Sequence, residues 1–281
     1  MRRRLSLTIK LLILLVAVVF ALYPIAYVLS AALNPLNTLV GQGLIPTRIT
    51  FENFERLFTT PLHPWPRWIL NSVVVSGVTA VVVVSLSAVA AYSFSRFRYR
   101  GRRTGLLALI IVQLFPNMLG FVALFILLQA VGDVVPMLGL DSLGGLILVY
   151  CGGALGFNTW LMKAYFDTVP RDLDESARVD GASHFQTFRL VILPLVRPIL
   201  AVIAILTFIA TYGDFLLARV LLSSTENYTL AVGMTLFLRQ YSLEWGTFGA
   251  AAMVGALPIV VIFLLLQRQL VSGLALGGVK G

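Results

Sequence analysis

Cysteine, histidine and charge are all scarce in this sequence, and each shortage excludes a class of chemistry. The single cysteine, Cys151, lies inside an apolar run, which leaves neither a disulfide framework nor paired thiolate ligands for a metal. The two histidines, His63 and His184, are far apart in the chain, and no catalytic constellation can be assembled around them. The pattern GxxxxGK followed by serine or threonine does not occur, so the sequence predicts no ATP-binding phosphate loop.

Apolar residues are abundant instead. They make up 59% of the 281 residues, against 12% charged residues, which is far from the average of soluble proteins. Crossing a bilayer takes about 20 apolar residues, and the runs present predict an all-α polytopic membrane protein with six transmembrane helices. The predicted spans cover about 11–33, 68–94, 106–131, 143–166, 198–222 and 248–267.

The first and third runs, and the segment that follows the first, contain residues that refine the prediction. Basic residues precede the first run as in a signal peptide, but the run exceeds the roughly 7 to 15 apolar residues of a signal sequence, so we expect an uncleaved helix. The segment FENFERLF after it predicts a short interfacial helix. Pro116 and Gly120 lie in the middle of the third run and predict a break there.

Positive charge is distributed unevenly between the two sides of the predicted spans. With six spans both termini lie on one side, and that side holds 16 of the 21 Lys and Arg residues. The positive-inside rule therefore predicts that both termini and the loop after the fourth span are cytoplasmic. Membrane topology therefore accounts for the basic excess behind the formal charge of +9. Because the arginines flank the spans and no basic soluble domain is present, we expect no nucleic-acid partner.

The loop between the fourth and fifth predicted spans has two adjacent helix starts. Asp172 with Glu175, and Ser183 with Gln186, are each spaced like a capping box. The spacing predicts two short helices that are broken at Gly181.

Each of these short helices has a predicted apolar face. The first has a weak one, formed by Leu173, Ala177 and Ala182. The second has apolar residues at helical spacing, namely Phe185, Phe188 and Ile192. The polar residues of the first helix are expected to point into water, namely Asp174, Glu175, Arg178 and Asp180. Pro194 and Pro198 are expected to break and restart the chain.

The same loop resembles the EAA signature of ABC importer permeases. That signature reads EAA, three residues, G, nine residues, I, one residue, LP, and it is matched here by Glu175, Ser176, Ala177, Gly181, Leu193 and Pro194. Two positions differ conservatively, since Ser176 replaces an alanine and Val191 stands at the isoleucine position. Further stretches resemble the G-type permease subunit of maltose and maltodextrin importers: LIPTRITFENF, WILNSVVVSG, YSFSRFRYRG, YTLAVGM and the tail GLALGGVKG.

The resemblance implies a type I ABC importer permease fold and a role in ATP-driven, binding-protein-dependent sugar uptake. It implies one transmembrane permease domain over 1–281, with a core at about 68–267, an extra span at 11–33, a cytoplasmic coupling loop at 172–198 and a tail at 268–281. The chain itself would bind no cofactor, because ATP and Mg would be held by a partner ATPase. The implied partners are a second (F-type) permease, an ATPase dimer, an extracytoplasmic sugar-binding protein and the lipid of a bacterial or archaeal cytoplasmic membrane.

The resemblance also assigns roles to individual residues. ATPase coupling would involve Glu175, Ser176, Ala177, Asp180, Gly181, Ala182, Phe185, Phe188, Leu193 and Pro194. Contacts with the binding protein would come from Glu226, Asn227, Tyr241, Glu244 and Trp245. The tail residues that reach between the ATPase subunits would be Gly277, Gly278, Val279, Lys280 and Gly281.

Asp214 is an acidic residue inside the fifth predicted span, with apolar residues on both sides. A charged residue at the centre of a membrane helix costs roughly 2.5 to 3.5 kcal/mol, so such groups face a cavity or a partner. With Thr211 and Tyr212 it could line the solute path, it could make a structural hydrogen bond across the bundle, or it could lie near the outer end of the span where water reaches it. The alternatives for the whole chain are an importer of another solute, such as glycerol phosphate, and an ion-coupled secondary transporter.

Overall fold

The computed structural model describes residues 2–38, 42–46, 48–60, 63–238 and 244–277, with side chains except those of 2–6, 117 and 270–277. Across these residues every regular element is a helix and no strand occurs. A helix satisfies its own backbone hydrogen bonds, which apolar segments need in a membrane. The prediction of an all-α protein is confirmed.

Helices run from one end of the described chain to the other, with short breaks. Their bounds are α1 Arg2–Leu33, α2 Glu52–Thr59, α3 Trp65–Arg96, α4 Arg102–Gln113, α5 Phe121–Val134, α6 Leu143–Phe166, α7 Asp172–Val179, α8 His184–Leu195, α9 Arg197–Tyr212, α10 Leu216–Leu221, α11 Leu230–Met234, α12 Trp245–Gly255 and α13 Leu257–Gly277. Single 3₁₀ turns lie at Asn117–Gly120, Pro136–Leu138, Thr225–Asn227 and Thr235–Leu238, and Thr187–Ile192 within α8 is π-helical.

Within the described residues, four helices are long and apolar enough to cross a membrane. They are Leu7–Leu33, Trp65–Arg96, Leu143–Phe166 and Trp245–Gln269. Two further pairs of helices pass the same test together but are bent, α4 with Met118–Val134 by 86° and α8 with α9 by 76°. The chain is therefore a multi-pass membrane protein with four to six candidate spans.

The breaks follow local chemistry. The predicted break in the third run is present, because α4 ends at Gln113 and the chain restarts after Pro116. The fifth predicted span also contains a helix break, which was not predicted, since α9 ends at Tyr212 and α10 begins at Leu216. Asp214 Oδ1 accepts hydrogen bonds from the amides of Leu217 and Ala218, 3.1 Å each, and so caps the separate helix α10.

Contacts divide the chain into two compact units, of which the first comprises residues 1–67 and 232–257. In this unit the Asn53 amide on α2 donates to the carbonyl oxygens of Ala32 and Asn34, at 2.9 and 3.0 Å. The Asn37 side chain accepts from the amides of Gly246 and Thr247 at the start of α12. These bonds tie α2 and α12 to the end of α1.

The second unit comprises residues 68–231 and 258–281 and holds the predicted coupling loop. Its core joins side chains from α3, α6, α8 and α9, with Val83, Met162, Phe166, Ile192, Val196 and Ile203 fully buried. Helices α4 and α6 meet closely at Gly156, where an added Cβ would lie 2.8 Å from the Leu109 carbonyl oxygen. Because α8 shares this core, the loop is packed against the membrane helices.

Candidate functional site

The candidate site is the helical hairpin α7 and α8, which lies between α6 and α9 and is called the hairpin below. Its turn has the hydrogen bonds of a Schellman motif, with the Ala182 amide bonded to the Ala177 carbonyl and the Gly181 amide to that of Arg178, at 2.9 and 3.1 Å. Gly181 has a φ of +84°, in the left-handed region that favours glycine. The predicted break at Gly181 is confirmed, and it sets the angle between the two helices.

The two predicted capping boxes have different outcomes. At α8 the box is complete, because Ser183 Oγ accepts from the Gln186 amide and Gln186 Oε1 accepts from the Ser183 amide, at 3.2 and 2.7 Å. At α7 the prediction is wrong, since Arg171 is the N-cap residue and no side chain caps the helix. Asp172 is instead the first helical residue, where its charge favours the positive end of the helix dipole.

Asp174 joins the hairpin to the end of α3. Its Oδ2 lies 3.0 Å from Arg96 Nε, and the two side chains are only 14% and 7% exposed. The Tyr92 hydroxyl lies 3.4 Å from Asp174 Oδ1 and completes the contact. The expectation that Asp174 points into water is therefore wrong. Asp174 precedes Ala177 by three residues, so both lie on the inner face of α7, and that spacing was the available sequence signal.

More hydrogen bonds hold the segment before α7 to the same end of α3. Ser95 Oγ donates to Asp167 Oδ1 at 2.7 Å, and Arg171 donates to the Ser95 carbonyl at 3.1 Å. Arg96 also donates to the Val169 carbonyl at 2.9 Å. Burial alone would raise the pKa of Asp167, but hydrogen bonds from Lys163 and Ser95 and nearby positive charge outweigh it, so this pKa lies below its usual value. These contacts were not predicted from the sequence.

The residues predicted to couple to an ATPase differ in how far they are buried. The exposed ones are Glu175, Ser176, Asp180, Gly181 and Phe185, and the half-buried ones are Ala177, Ala182, Leu193 and Pro194. Phe188 is buried, and its ring lies 5.0 Å from that of Tyr92. The outer surface also exposes large apolar side chains, which we call the hairpin patch: Leu173, Val179, Phe185 and Leu190. The hairpin therefore has a packed inner side and an apolar outer side.

The residues considered for a solute path are mostly enclosed within the chain. Thr211 donates to the Thr207 carbonyl at 2.8 Å, and Tyr212 stacks on Phe208 with ring centres 5.5 Å apart. Tyr150 on α6 donates to Asp214 Oδ1 at 2.8 Å, in addition to the two amides at the start of α10. Asp214 thus makes a structural hydrogen bond across the helices, one of the roles the sequence left open. A solute-path role stays a prediction.

Glu226 and Asn227, predicted to contact a binding protein, lie in a segment that α3 holds at several points. The Trp68 indole donates to the Thr225 carbonyl at 2.8 Å. The Asn71 amide donates to the carbonyls of Glu226 and Tyr228, at 2.9 Å each. The segment before α11 is therefore fixed to α3 by its backbone, and the Glu226 side chain is exposed.

Asp141 holds the same segment from the other side. Its carboxylate accepts from the amides of Ser223 and Ser224 at 2.8 and 2.9 Å and from the Ser224 hydroxyl, and Asn227 donates to its carbonyl at 2.6 Å. Burial alone would raise the pKa of Asp141, but these hydrogen bonds outweigh it and lower the pKa below 3.8. No sequence motif indicated this contact.

The remaining predicted contacts lie at the edge of the described chain or outside it. Glu244 and Trp245 are half-buried at the start of α12, where the Trp245 ring lies 6.1 Å from that of Phe248. Gly277 is the last residue of α13. Tyr241 and the tail residues Gly278, Val279, Lys280 and Gly281 lie outside the described residues.

The helical architecture and the EAA-containing hairpin define a class of membrane transport protein. The sequence profile described as binding-protein-dependent transport system inner membrane component matches residues 83–275. The chain therefore belongs to this family: it is a permease component of a binding-protein-dependent ABC importer and a transport subunit, not an enzyme.

Particular relatives carry a more specific name. The chain is 44% identical over 252 residues to the maltose/maltodextrin transport system permease protein MalG of Vibrio vulnificus, covering 90% of this chain and 85% of the relative. It is 41% identical over 291 residues to MalG of Escherichia coli, covering 100% of this chain and 97% of the relative. The resemblance stated from the sequence is confirmed.

A solved structure has the same fold. It is the crystal structure of a bacterial ABC transporter involved in the import of the acidic polysaccharide alginate. The superposition has a TM-score of 0.73 at 26% identity and covers 94% of this chain and 96% of the matched chain. An ABC permease fold follows for this chain.

Proposed function

We propose that the chain is the G-type permease subunit of an ATP-driven importer for maltose, maltodextrin or a trehalose-like oligosaccharide. The observation that carries this proposal is the identity of 41 to 44% to permeases named for maltose and maltodextrin. The relative involved in alginate import supports a carbohydrate more broadly. The importer would act in the cytoplasmic (inner) membrane of a bacterium or archaeon.

The chain would form half of the translocation path and pair with a second, F-type permease. A cytoplasmic ATPase dimer would bind ATP and Mg, and this chain would bind no cofactor. An extracytoplasmic sugar-binding protein would deliver the solute to the outer side. The lack of a phosphate-binding loop in the sequence supports this division of labour.

The proposed topology has six spans and cytoplasmic termini, with the hairpin also in the cytoplasm. The placement of 16 of the 21 Lys and Arg residues on that side supports it. The bent pair formed by α4 and Met118–Val134 would be one of these spans, with its break held inside protein. The segment that contains Glu226 and Asn227 would then face outward, toward the binding protein.

The hairpin would couple ATPase closure to movement of the path. Its hairpin patch would lie in a cleft of the ATPase, with Glu175 and Asp180 as polar contacts. Movement would pass through the Arg96–Asp174 ion pair to α3 and through buried Phe188 and Ile192 to the core around α6 and α9. A turn fixed by Gly181 and a complete capping box makes the hairpin a rigid lever, so it would move as a body.

Affinity capture of the solubilised subunit from its native membrane tests this function. The importer predicts co-purification of a second permease and an ATPase, and ATP hydrolysis that a sugar stimulates when the binding protein is added. Maltose, trehalose and glycerol phosphate should be compared in parallel, because the compound that stimulates ATP hydrolysis identifies the solute. Capture of the chain alone, with uptake that depends on an ion gradient, would contradict the proposal.

A further inference from the structure

The junction of α3 and α4, residues 96–103, contains a concentration of positive charge of which the hairpin uses only Arg96. Five arginines lie within eight residues of sequence, and two of them have partners. Arg96 pairs with Asp174, and Arg102 donates to the Phe97 carbonyl at 3.4 Å and lies near Asp167. Three exposed arginines remain, Arg98, Arg100 and Arg103, and in the described part of the chain none has an acidic side chain within ion-pair distance.

Arg98 and Arg103 line a hollow of about 420 Å³, and Arg100 lies between them in sequence but does not line it. It is lined by Arg98, Tyr99, Gly101, Arg102, Arg103 and Thr104. The hollow lies at the start of α4, where Gly101 is the N-cap residue and no side chain caps the helix. An anion in the hollow would meet guanidinium groups and the positive end of a 12-residue helix together.

The surface below the hollow is apolar. Arg103, Leu107 and Ile111 are spaced by four residues, which places them along one face of α4. Leu107 and Ile111 are 58% and 63% exposed. The opposite face of α4 packs on α6 near Leu109 and Gly156. A positively charged hollow beside an apolar strip is complementary to a phospholipid. The phosphate would lie in the hollow, and an acyl chain would lie along the apolar face of α4.

We infer that this hollow, called the arginine hollow below, is a binding site for the phosphate of an anionic phospholipid such as phosphatidylglycerol. The uncompensated guanidinium groups of Arg98 and Arg103 in the hollow, with that of Arg100 nearby in sequence, supply affinity for the anionic headgroup, since each basic residue near a membrane surface contributes about fivefold. The strip of Leu107 and Ile111 favours a lipid over free phosphate or an acidic protein surface, because neither of those would cover apolar side chains inside the bilayer. The placement in the cytoplasmic leaflet rests on the topology proposed above.

Photochemical labelling of the complete transporter tests the inference. The reconstituted complex of permeases and ATPase is labelled with a photoactivatable phosphatidylglycerol, and cross-links are mapped to residues 96–111. We expect labelling that unlabelled phosphatidylglycerol displaces but phosphatidylcholine and inorganic phosphate do not. Arg103→Gln should lower it about fivefold, and the triple change of Arg98, Arg100 and Arg103 to Gln should lower it at least tenfold. Arg268→Gln, which removes a charge of the same predicted side, should change it less than twofold.

Several results would overturn the inference. Equal labelling by phosphatidylcholine, or an unchanged yield in the triple variant, would show that the arginines recognise no headgroup. Displacement by inorganic phosphate would indicate a site for a free anion, and wild-type complex without labelling would show that another subunit covers the hollow. Sugar-stimulated ATP hydrolysis is measured on the same liposomes, because its loss with normal labelling counts against the proposed function and not against this site.

Discussion

Arg96 and Asp174 form a nearly buried ion pair, 3.0 Å between Nε and Oδ2, that joins the last residue of α3 to the first turn of α7. One partner is the last residue of a membrane helix, and the other belongs to the hairpin that carries the EAA signature. Because both side chains are largely shielded from water, neither can lose its partner without leaving a poorly solvated charge. The pair therefore constrains how the hairpin can move relative to α3.

Asp174→Asn should weaken the attachment of the hairpin to α3. Breaking one partner of a buried ion pair costs about 3 to 5 kcal/mol, because the remaining charge is uncompensated. We expect less sugar transported per ATP hydrolysed and faster proteolysis of residues 171–181. Asp172→Asn is the matched control, since that carboxylate lies on the same helix but is exposed. Equal coupling in the two variants would contradict a mechanical role for the pair.

Gly181→Val should disturb the hairpin turn through backbone strain alone. The residue has a φ of +84°, and an added Cβ meets nothing within 4 Å, so crowding is not the cause. A left-handed conformation costs an ordinary residue roughly 1 to 2 kcal/mol, and a β-branched one adapts poorly. We expect transport to become uncoupled from hydrolysis. Gly181→Asn should keep coupling closer to wild type, because asparagine tolerates this conformation, and equal loss in both variants would argue against the strain.

Ser183→Ala should loosen the start of α8. It removes the side chain that accepts from the Gln186 amide, and losing such a cap costs about 1 kcal/mol. Hydrogen exchange of the Gln186 and Thr187 amides should become faster, while Ser183→Asp should restore protection. Unchanged exchange in the alanine variant would show that the cap is not needed to hold α8.

Asp214 variants separate a structural from a solute-path role. Asp214→Asn keeps a side-chain oxygen at the position that accepts from Tyr150 and from two amides of α10, so we expect near-normal assembly and uptake. Asp214→Ala loses the cap, at about 1 kcal/mol, and should lower the amount of assembled permease. A tenfold loss of uptake in Asp214→Asn at normal protein level would instead show that the carboxylate faces the solute.

Asp141 should make the segment before α11 sensitive to acid. Its pKa in the folded chain lies below the ordinary 3.8, so the carboxylate stabilises the fold above that pH. The contribution is lost as pH falls through the lower folded value. Amide exchange at Ser223 and Ser224 should therefore accelerate below about pH 4 in wild type. Asp141→Ala should exchange quickly already at neutral pH, and a wild-type rate there would contradict the contact.

The membrane class, the helical breaks at Pro116 and Gly181, and the hairpin itself could all be predicted from sequence. Hydrophobic length, proline and glycine chemistry and cap spacing are local properties, and each acts within a few residues. The box at Ser183 formed because its partner Gln186 lies within the same turn. The box at Asp172 failed because Arg171 took the cap position and left Asp172 inside the helix.

Contacts between distant segments could not be predicted in this way. The Arg96–Asp174 pair joins residues 78 positions apart, and the Asp141 contacts with Ser223 and Ser224 span 82 and 83. Nothing local distinguishes Arg96, at the end of α3, from the arginines that follow it. Only the packing of α7 against the end of that helix selects it. The helix break inside the fifth predicted span could not be predicted for a different reason, since apolar residues continue through the turn that Asp214 caps.

Reconstituted uptake tests the central claim most directly. The chain, its co-purified permease and ATPase are placed in proteoliposomes with the sugar-binding protein on the outside and ATP within, and uptake of radiolabelled maltose is measured. We expect uptake that requires both ATP and the binding protein, that unlabelled maltodextrin reduces by competition, and that an ionophore leaves unchanged. Uptake that persists without ATP or the binding protein and collapses with the ionophore would contradict the assignment as a sugar importer permease.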